Sequence, residues 1–208
     1  MPPDATREKL MGAAIREFEE RGFEGARVDR IARKARANKA MIYYHFGDKR
    51  ALYQAVLLTL FAPVRERIEA LEGSSLEPRA RLQEFYRGIV RLLATAPTLS
   101  SLMVREVLDG GEHLDRGTAA VLSEIVGFVR RNVEAGVRSG SVRPVNPLFL
   151  HLTMIAPILF YFMGGGFRRK VLPQVAPGNA QPTHEDLARH VDETLARSLD
   201  TAPTKELR

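Results

Sequence analysis

The sequence predicts an all-α fold of three short helices followed by six more. Apolar residues recur along most of the chain with the i, i+3, i+4, i+7 spacing of one helical face. Residues typical of helix ends interrupt that pattern at intervals. No segment shows the alternation typical of a strand, and the sequence contains no heptad array or internal repeat.

The first three helices are predicted within residues 1–46. The first has an apolar face over residues 11–18 and ends at Gly22, in the position of a C-terminal glycine. The second spans about 27–35, and the third spans about 38–45 with Asn38 as its N-cap. We expect a core at this end of the chain, made by Phe18, Phe23, Ile31, Ile42, Phe46 and Leu52.

Six further helices are predicted behind this group. A long fourth helix begins at Lys49, capped by Asp48, and reaches Leu71 with Pro63 inside it. Apolar stripes mark the next four at about 82–93, 97–107, 122–133 and 147–163. Residues 164–182 read as a basic loop containing Gly and Pro, and Thr183 caps the last helix.

The positive charge of the chain is concentrated in one window. The formal net charge is +6, and residues 27–50 hold eight Lys or Arg against two acids, Asp29 and Asp48. The rest of the chain is therefore balanced. A patch of this kind is typical of phosphate contacts, although a solvated helix face would give the same composition.

The second and third helices, joined by a short turn, form a candidate helix-turn-helix. In such a unit the N-terminal residues of the second helix meet base edges in the major groove. Lys39 is a donor for phosphate or guanine, and Ala40 lets the backbone approach closely. Tyr43 is favoured over Tyr44 as the DNA-facing ring, the other being expected to pack. The predicted DNA-contacting residues are Arg27, Asn38, Lys39, Ala40, Tyr43, Tyr44, His45 and Lys49.

These residues also resemble a known family. The runs Arg21-Gly22-Phe23-Glu24-Gly25 and Met41 to Leu52, with its Tyr43-Tyr44-His45-Phe46 segment and Lys49, resemble the N-terminal domain of TetR family transcriptional regulators over about residues 6–56. The resemblance implies residues 1–50 as a DNA-binding domain and 51–208 as an effector-binding and dimerisation domain. It also implies a homodimer, a small-molecule effector and, as the commoner outcome in the family, repression.

The sequence departs from the family pattern in three places. Ala26-Arg27 stands where Ser or Thr usually caps the second helix, and Asn38 replaces Ser or Thr before the third. Arg36 occupies the turn position that is usually glycine, which costs about 1 kcal/mol if its φ is positive. These changes affect the operator sequence rather than the fold.

The rear part is expected to dimerise and to bind an apolar or flat ligand. The eighth helix is apolar almost all round, which favours a four-helix interface made by this helix, the last helix and their copies in a second chain. A two-fold dimer predicts a palindromic operator. The long fourth helix is expected to link ligand binding to the distance between the two DNA-binding units of the dimer. The candidate effector contacts are Met103, Arg105, His113, Phe128, His151, Met154, Phe160 and Tyr161.

Other classes of function fit less well. The absence of cysteine excludes disulfides and thiolate chemistry, and no nucleotide-binding loop, serine elbow or metal-binding histidine pair is present in the sequence, so neither an enzyme nor a cofactor or metal site is expected. The apolar run 148–163 is shorter than the ~20 residues of a membrane span. A polar N-terminus predicts a cytoplasmic protein without a signal peptide. The alternative function is a non-specific, architectural DNA-binding protein.

Overall fold

The computed structural model describes residues 3–175 and 181–201. Within them it forms ten helices and no strand. The helices are α1 (Pro3–Gly25), α2 (Val28–Ala35), α3 (Lys39–Phe46), α4 (Lys49–Glu72), α5 (Pro78–Thr95), α6 (Thr98–Leu108), α7 (Arg116–Ser139), α8 (Pro147–Met163), α9 (Gly165–Val175) and α10 (His184–Leu199).

The chain divides into two compact units that do not follow a single cut in the sequence. Unit 1 contains residues 1–62 and 96–121, and unit 2 contains residues 63–95 and 122–208. Helices α4 and α7 each contribute residues to both. The boundary predicted at residue 50, between a DNA-binding and an effector-binding domain, remains a prediction. Unit 1 is defined by compactness alone, and it includes α6 as well as the first helices.

Unit 1 is built on α1, which packs against α2, α3 and α6. The expected core residues Phe18, Ile31, Ile42 and Leu52 are fully buried, and Phe23 and Phe46 pack partly buried against them. Gly22 has φ 67° and ψ −177°, so the regular helix ends there as predicted, although one further turn reaches Gly25. A Cβ atom at position 22 would lie 3.3 Å from a guanidinium nitrogen of Arg105, so a side chain there would be crowded.

Unit 2 has its core between α5, α8 and α10. The predicted apolar stripe of α10 is buried, from Leu187 to Leu199, and the Phe85 and Phe128 rings pack 5.0 Å apart. Thr183 caps α10 through a reciprocal pair of hydrogen bonds with Asp186, as its sequence predicts.

The prediction of a loop over residues 164–182 is wrong for residues 165–175, which form α9. Gly164 ends α8 with ordinary helix-end geometry, and its carbonyl accepts the Arg168 N–H at 2.9 Å. The Arg168 guanidinium then lies 3.9 Å above the Tyr161 ring. The contact of Arg168 with the Tyr161 ring of α8 offsets the poor helix propensity of consecutive glycines. Residues 176–180 lie outside the described residues.

The apolar run at residues 148–163 forms α8, a helix with one buried face. Leu150, Met154 and Ile158 are buried in unit 2. In the part of the chain that the structure describes, no single helix is long and apolar enough to cross a membrane. The bent pair Pro147–Met163 and Gly165–Gln174, with 82° between its members, meets those criteria only when both are counted together.

Candidate nucleic-acid interface

The start of α2, the first helix of the helix-turn-helix, contacts a residue of another helix. Arg27 adopts the extended conformation of an N-cap, with φ −123°. Its backbone N–H donates to a carboxylate oxygen of Glu17, 3.4 Å away on α1. Glu17 therefore satisfies the backbone N–H of the N-cap residue itself, while α2 lacks the side-chain cap that Ser or Thr would provide at position 27.

Glu17 is fully buried and organises the basic side chains of α2. Its carboxylate lies 2.6 Å from Arg30 Nε and 3.0 Å from Lys34 Nζ. Burial opposes ionisation of Glu17, but hydrogen bonds from Arg30 and Lys34 outweigh it and hold the pKa of this carboxyl below its usual range. Lys34 is thus a partner of both Glu17 and Glu20.

The turn between α2 and α3 adopts the left-handed conformation at Arg36, with φ 52° and ψ 43°. The following Ala37 N–H donates to the Ala32 carbonyl at 3.0 Å, the long hydrogen bond typical of a helix end closed by glycine. The positive φ is therefore the costly case considered for this position. An L-residue in this region costs about 1 kcal/mol relative to glycine.

The recognition helix α3 is fixed at its start and on one face. Asn38 accepts the Ala40 N–H at 2.8 Å, which confirms it as the N-cap. Ile42 points into the core, while Lys39 and Ala40 are exposed. The N-terminal turn of α3 therefore presents its side chains to solvent while its opposite face is anchored.

Both tyrosines of α3 are exposed, so the expectation that one ring packs is wrong. Tyr43 is 47% exposed and Tyr44 is 77% exposed. His45 is half-buried, with its ring edge-on to Tyr44 at 5.0 Å. Its Nε2 is buried without a hydrogen-bond partner among the described residues. Only Ile42, in the middle of the helix, provides the buried anchor, which leaves two aromatic donors free for a ligand surface.

Lys49 is at the start of α4 but its charge is held towards α1. Asp48 caps α4 by accepting the Ala51 N–H at 2.7 Å, as predicted. Lys49 Nζ lies 4.5 Å from the centre of the Phe23 ring and 3.4 Å from the Glu24 carbonyl. Lys49, the first residue of α4, therefore has its ammonium directed towards α1.

Lys39 is paired with an acid of α2. Its Nζ lies 2.9 Å from Asp29 Oδ1 across the helix-turn-helix, and both side chains are largely exposed. The hydrogen bond from Lys39 lowers the pKa of Asp29, and the same contact raises the pKa of Lys39. Both groups are therefore charged at neutral pH, and Lys39 is held rather than free.

The predicted effector contacts fall in both units. Met103, Arg105 and His113 belong to unit 1, and the other five belong to unit 2. His113 is buried against the Phe23 ring at 4.3 Å, so unit 1 itself accounts for its burial. Phe128 and Met154 are buried in unit 2, and the exposed Phe160 lines a surface groove of about 600 Å³ with Tyr161.

His151 pairs with a buried tyrosine in unit 2. The Tyr86 hydroxyl lies 3.1 Å from His151 Nδ1. Burial lowers the pKa of His151 to about 4, so the ring is neutral at physiological pH. Unit 2 therefore offers an uncharged polar pair beside an aromatic core.

Sequence reasoning missed three acids of unit 1 that the structure uses. Glu17, Asp29 and Glu106 each engage a residue distant in sequence. Glu17 had a detectable signal, because it occupies the helical face of Leu10, Ala13 and Ala14, where a charge is out of place. Asp29 and Glu106 had no local signal, since their partners lie on other helices.

Comparisons with known proteins support the same assignment. The sequence model described as "Bacterial regulatory proteins, tetR family" matches residues 10–56, and that described as "Tetracyclin repressor-like, C-terminal domain" matches residues 78–173. The HTH-type transcriptional repressor SCO4008 of Streptomyces coelicolor is 49% identical over 166 residues, which cover 73% of this chain and 77% of that protein.

A more distant relative and a solved structure agree. The HTH-type transcriptional repressor NicS of Pseudomonas putida is 29% identical over 161 residues, which cover 76% of each chain. The crystal structure of the transcriptional regulator FadR from Bacillus subtilis in complex with stearoyl-CoA has a TM-score of 0.72 at 14% identity, covering 93% of this chain and 100% of that chain. The chain therefore belongs to the tetR family of bacterial regulatory proteins, as a ligand-responsive, DNA-binding transcriptional regulator and not as an enzyme.

Proposed function

We propose that the protein is a cytoplasmic repressor that binds a palindromic operator as a homodimer and leaves it when a small, largely apolar effector binds. One observation carries the proposal. The exposed face of α3 presents Lys39, Ala40, Tyr43 and Tyr44, while Ile42 and the Asn38 cap fix the helix to its unit. A rigid helix with exposed donors at its N-terminal end is what major-groove reading requires.

The remaining predicted contact residues are suited to binding the phosphate backbone of DNA. Arg27 is exposed at the start of α2, and Lys49 begins α4. Cations at helix N-termini suit phosphate, because the positive end of the helix dipole adds to their charge. His45 is half-buried, so we assign it a supporting place behind Tyr44. These contacts would fix the register of the protein on DNA, and α3 would read the sequence.

The homodimer is supported by an apolar face of α8 and α9 that unit 2 leaves uncovered. Its members include Phe149 (66% exposed) and Phe167 (70% exposed). Exposed apolar surface of this extent is typical of an interface. The face consists of Leu148, Phe149, Leu152, Phe160, Met163 and Phe167. A second copy burying it would give a two-fold dimer, and a two-fold dimer matches a palindromic operator.

The effector class is supported by the chemistry of unit 2. Phe128 and Met154 lie in its core, and His151 is neutral, so this unit holds no buried cation at these positions. Apolar walls with few polar groups favour apolar ligands. The stearoyl-CoA in the solved FadR complex belongs to that protein, and it supports the idea that this fold accommodates long apolar groups. Met103, Arg105, Phe160 and Tyr161 remain candidate contacts.

Ligand binding would act on DNA binding through α4, which contributes residues to both units. A ligand shifts an equilibrium only by its difference in affinity for the two states. We therefore expect the effector to lower operator affinity while the operator lowers effector affinity by the same factor. A ligand that binds tightly with no effect on DNA affinity would contradict this coupling.

The test is selection of bound sequences from a random duplex pool by the full chain. We expect a palindrome with half-sites about ten base pairs apart. Lys39→Met should weaken enrichment of that motif without abolishing it, while Arg130→Met, which removes an exposed charge of α7 in unit 2, should leave it intact. Binding without any motif would favour the architectural alternative, and no binding at low salt would overturn the DNA-binding surface itself.

A further inference from the structure

We propose that Asp29 is a positioning residue for operator recognition, which holds Lys39 for base reading and keeps it from general phosphate binding. Operator recognition by α3, as proposed above, is its premise. Asp29 lies in the first turn of α2, and Lys39 is the first residue of α3. Their charged atoms are 2.9 Å apart, so the pair spans the two helices of the helix-turn-helix.

The charge around Asp29 makes its presence unexpected. It is one of two acids among residues 27–50, and Arg27 and Arg33 both interact with it electrostatically. The other acid, Asp48, is needed as the cap of α4. The carboxylate of Asp29 suits the N-terminal end of the α2 dipole, but that local role requires no contact with Lys39.

Folding stability does not explain the pair either. The side chains of Asp29 and Lys39 are 67% and 47% exposed, and ion pairs exposed to this degree contribute little to stability. A carboxylate on a surface that approaches DNA also repels phosphate. The pair therefore weakens general attraction to DNA without a matching gain in folding.

The pair instead holds the Lys39 ammonium in one orientation. A free lysine is a flexible point charge that suits any phosphate. An ammonium has three donors, and the pair with Asp29 uses one of them, which leaves two for guanine O6 and N7 in the groove. Because specificity is a difference between affinities, lowering the affinity for all DNA while orienting a base contact raises discrimination.

The variant Asp29→Asn tests this directly, because it keeps the shape and removes the charge. We expect affinity for a scrambled duplex to rise by about threefold, since Lys39 is released to a phosphate. The slope of log affinity against log salt concentration should become steeper by about one. Affinity for the selected operator should fall by about twofold, because the base contact loses its fixed orientation. The ratio of operator to scrambled affinity should drop by about fivefold or more.

Two controls separate positioning from net charge. Glu20→Gln removes an exposed acid of α1 that pairs with Lys34 of α2. It therefore changes the net charge by the same amount as Asp29→Asn without altering a contact of α3. It should leave the affinity ratio unchanged. In a Lys39→Met background, Asp29→Asn should no longer lower the ratio. Thermal unfolding of every variant should match the parent protein, because the pair is exposed.

Two results would overturn the inference. One is an unchanged affinity ratio in Asp29→Asn. The other is an equal fall in the ratio with and without Lys39, which would mean that Asp29 itself accepts a hydrogen bond from a base such as cytosine. If the parent protein selects no sequence, the proposed function fails and the inference with it. If the parent selects a sequence and either result above occurs, only the inference fails.

Discussion

The Tyr53 hydroxyl donates a 2.7 Å hydrogen bond to the carboxylate of Glu106, and both residues are buried in unit 1. Burial and the Glu106 carboxylate both raise the pKa of Tyr53, so its proton stays on the hydroxyl. The same oxygen of Glu106 lies 3.3 Å from His113 Nδ1. This contact ties α4 to α6 and joins segments more than 50 residues apart in the chain.

Removing this hydroxyl should destabilise unit 1. Tyr53→Phe leaves the ring in place but deprives a buried carboxylate of its donor, and we expect the free energy of unfolding to fall by about 1–3 kcal/mol. Chemical denaturation at pH 7 measures it. Tyr161→Phe is the control, since that hydroxyl bonds the Pro182 carbonyl at an exposed position. Equal losses in the two variants would contradict a special role for the Tyr53 contact.

Acid should destabilise unit 1 through Glu17. Its folded pKa lies below the ordinary value of 4.5, so the stability contributed by the ionised carboxylate is present above pH 4.5 and lost as the pH falls through the folded pKa. We expect Glu17→Gln to unfold more easily at pH 7 and to show a flatter dependence between pH 5 and 3. Glu8→Gln, an exposed change on α1, should retain the parent's profile. A parallel profile for Glu17→Gln would count against this role.

His151 should make unit 2 sensitive to mild acid. Its pKa is about 4 in the folded chain against an ordinary 6.5, so the unfolded chain binds the proton more readily. Stability from the neutral ring is present above pH 6.5 and is lost as the pH falls towards 4. Unfolding monitored from pH 7.5 to 5 should show this loss in the parent and in His190→Gln, but less of it in His151→Gln. An NMR titration of His151 with a midpoint near 6.5 would refute it.

Glycine at position 36 should stabilise the helix-turn-helix. Arg36 has φ 52°, and Arg36→Gly removes the clash of a side chain in that conformation. We expect the free energy of unfolding to rise by about 0.5–1 kcal/mol, after allowance for the greater freedom of glycine in the unfolded chain. Arg33→Gly, an exposed change inside α2, should lower it by about 1 kcal/mol. Destabilisation by both variants would show that Arg36 is not strained.

A charge on the uncovered face of α8 should break the dimer. Phe149 and Phe160 are exposed on this face, and Phe160→Glu would bury an unpaired carboxylate in an interface formed there. We expect sedimentation to show a dimer for the parent and a monomer for Phe160→Glu at micromolar concentration. Leu76→Glu, at an exposed position before α5, should remain dimeric. A parent protein that is monomeric under these conditions would exclude the proposed interface.

Features that depend on neighbouring residues were predictable from the sequence. Asn38, Asp48 and Thr183 cap the helices that their sequence positions predicted, because a cap acts over two or three residues. The apolar stripe of α10 is buried as its spacing predicts. The same local information failed at α9, where three glycines predicted a loop and contacts of Arg168 with Tyr161 support a helix.

The sequence by itself determined the helices, their caps, the helix-turn-helix and the resemblance to the tetR family, because periodicity, capping and motif spacing are properties of nearby residues. Only the tertiary structure decided that Glu17 accepts the Arg27 N–H, that Asp29 holds Lys39, and that residues 96–121 join unit 1. The physical reason is that buried and paired charges take their partners from other helices. Their energy depends on which surfaces meet, and no local pattern records it.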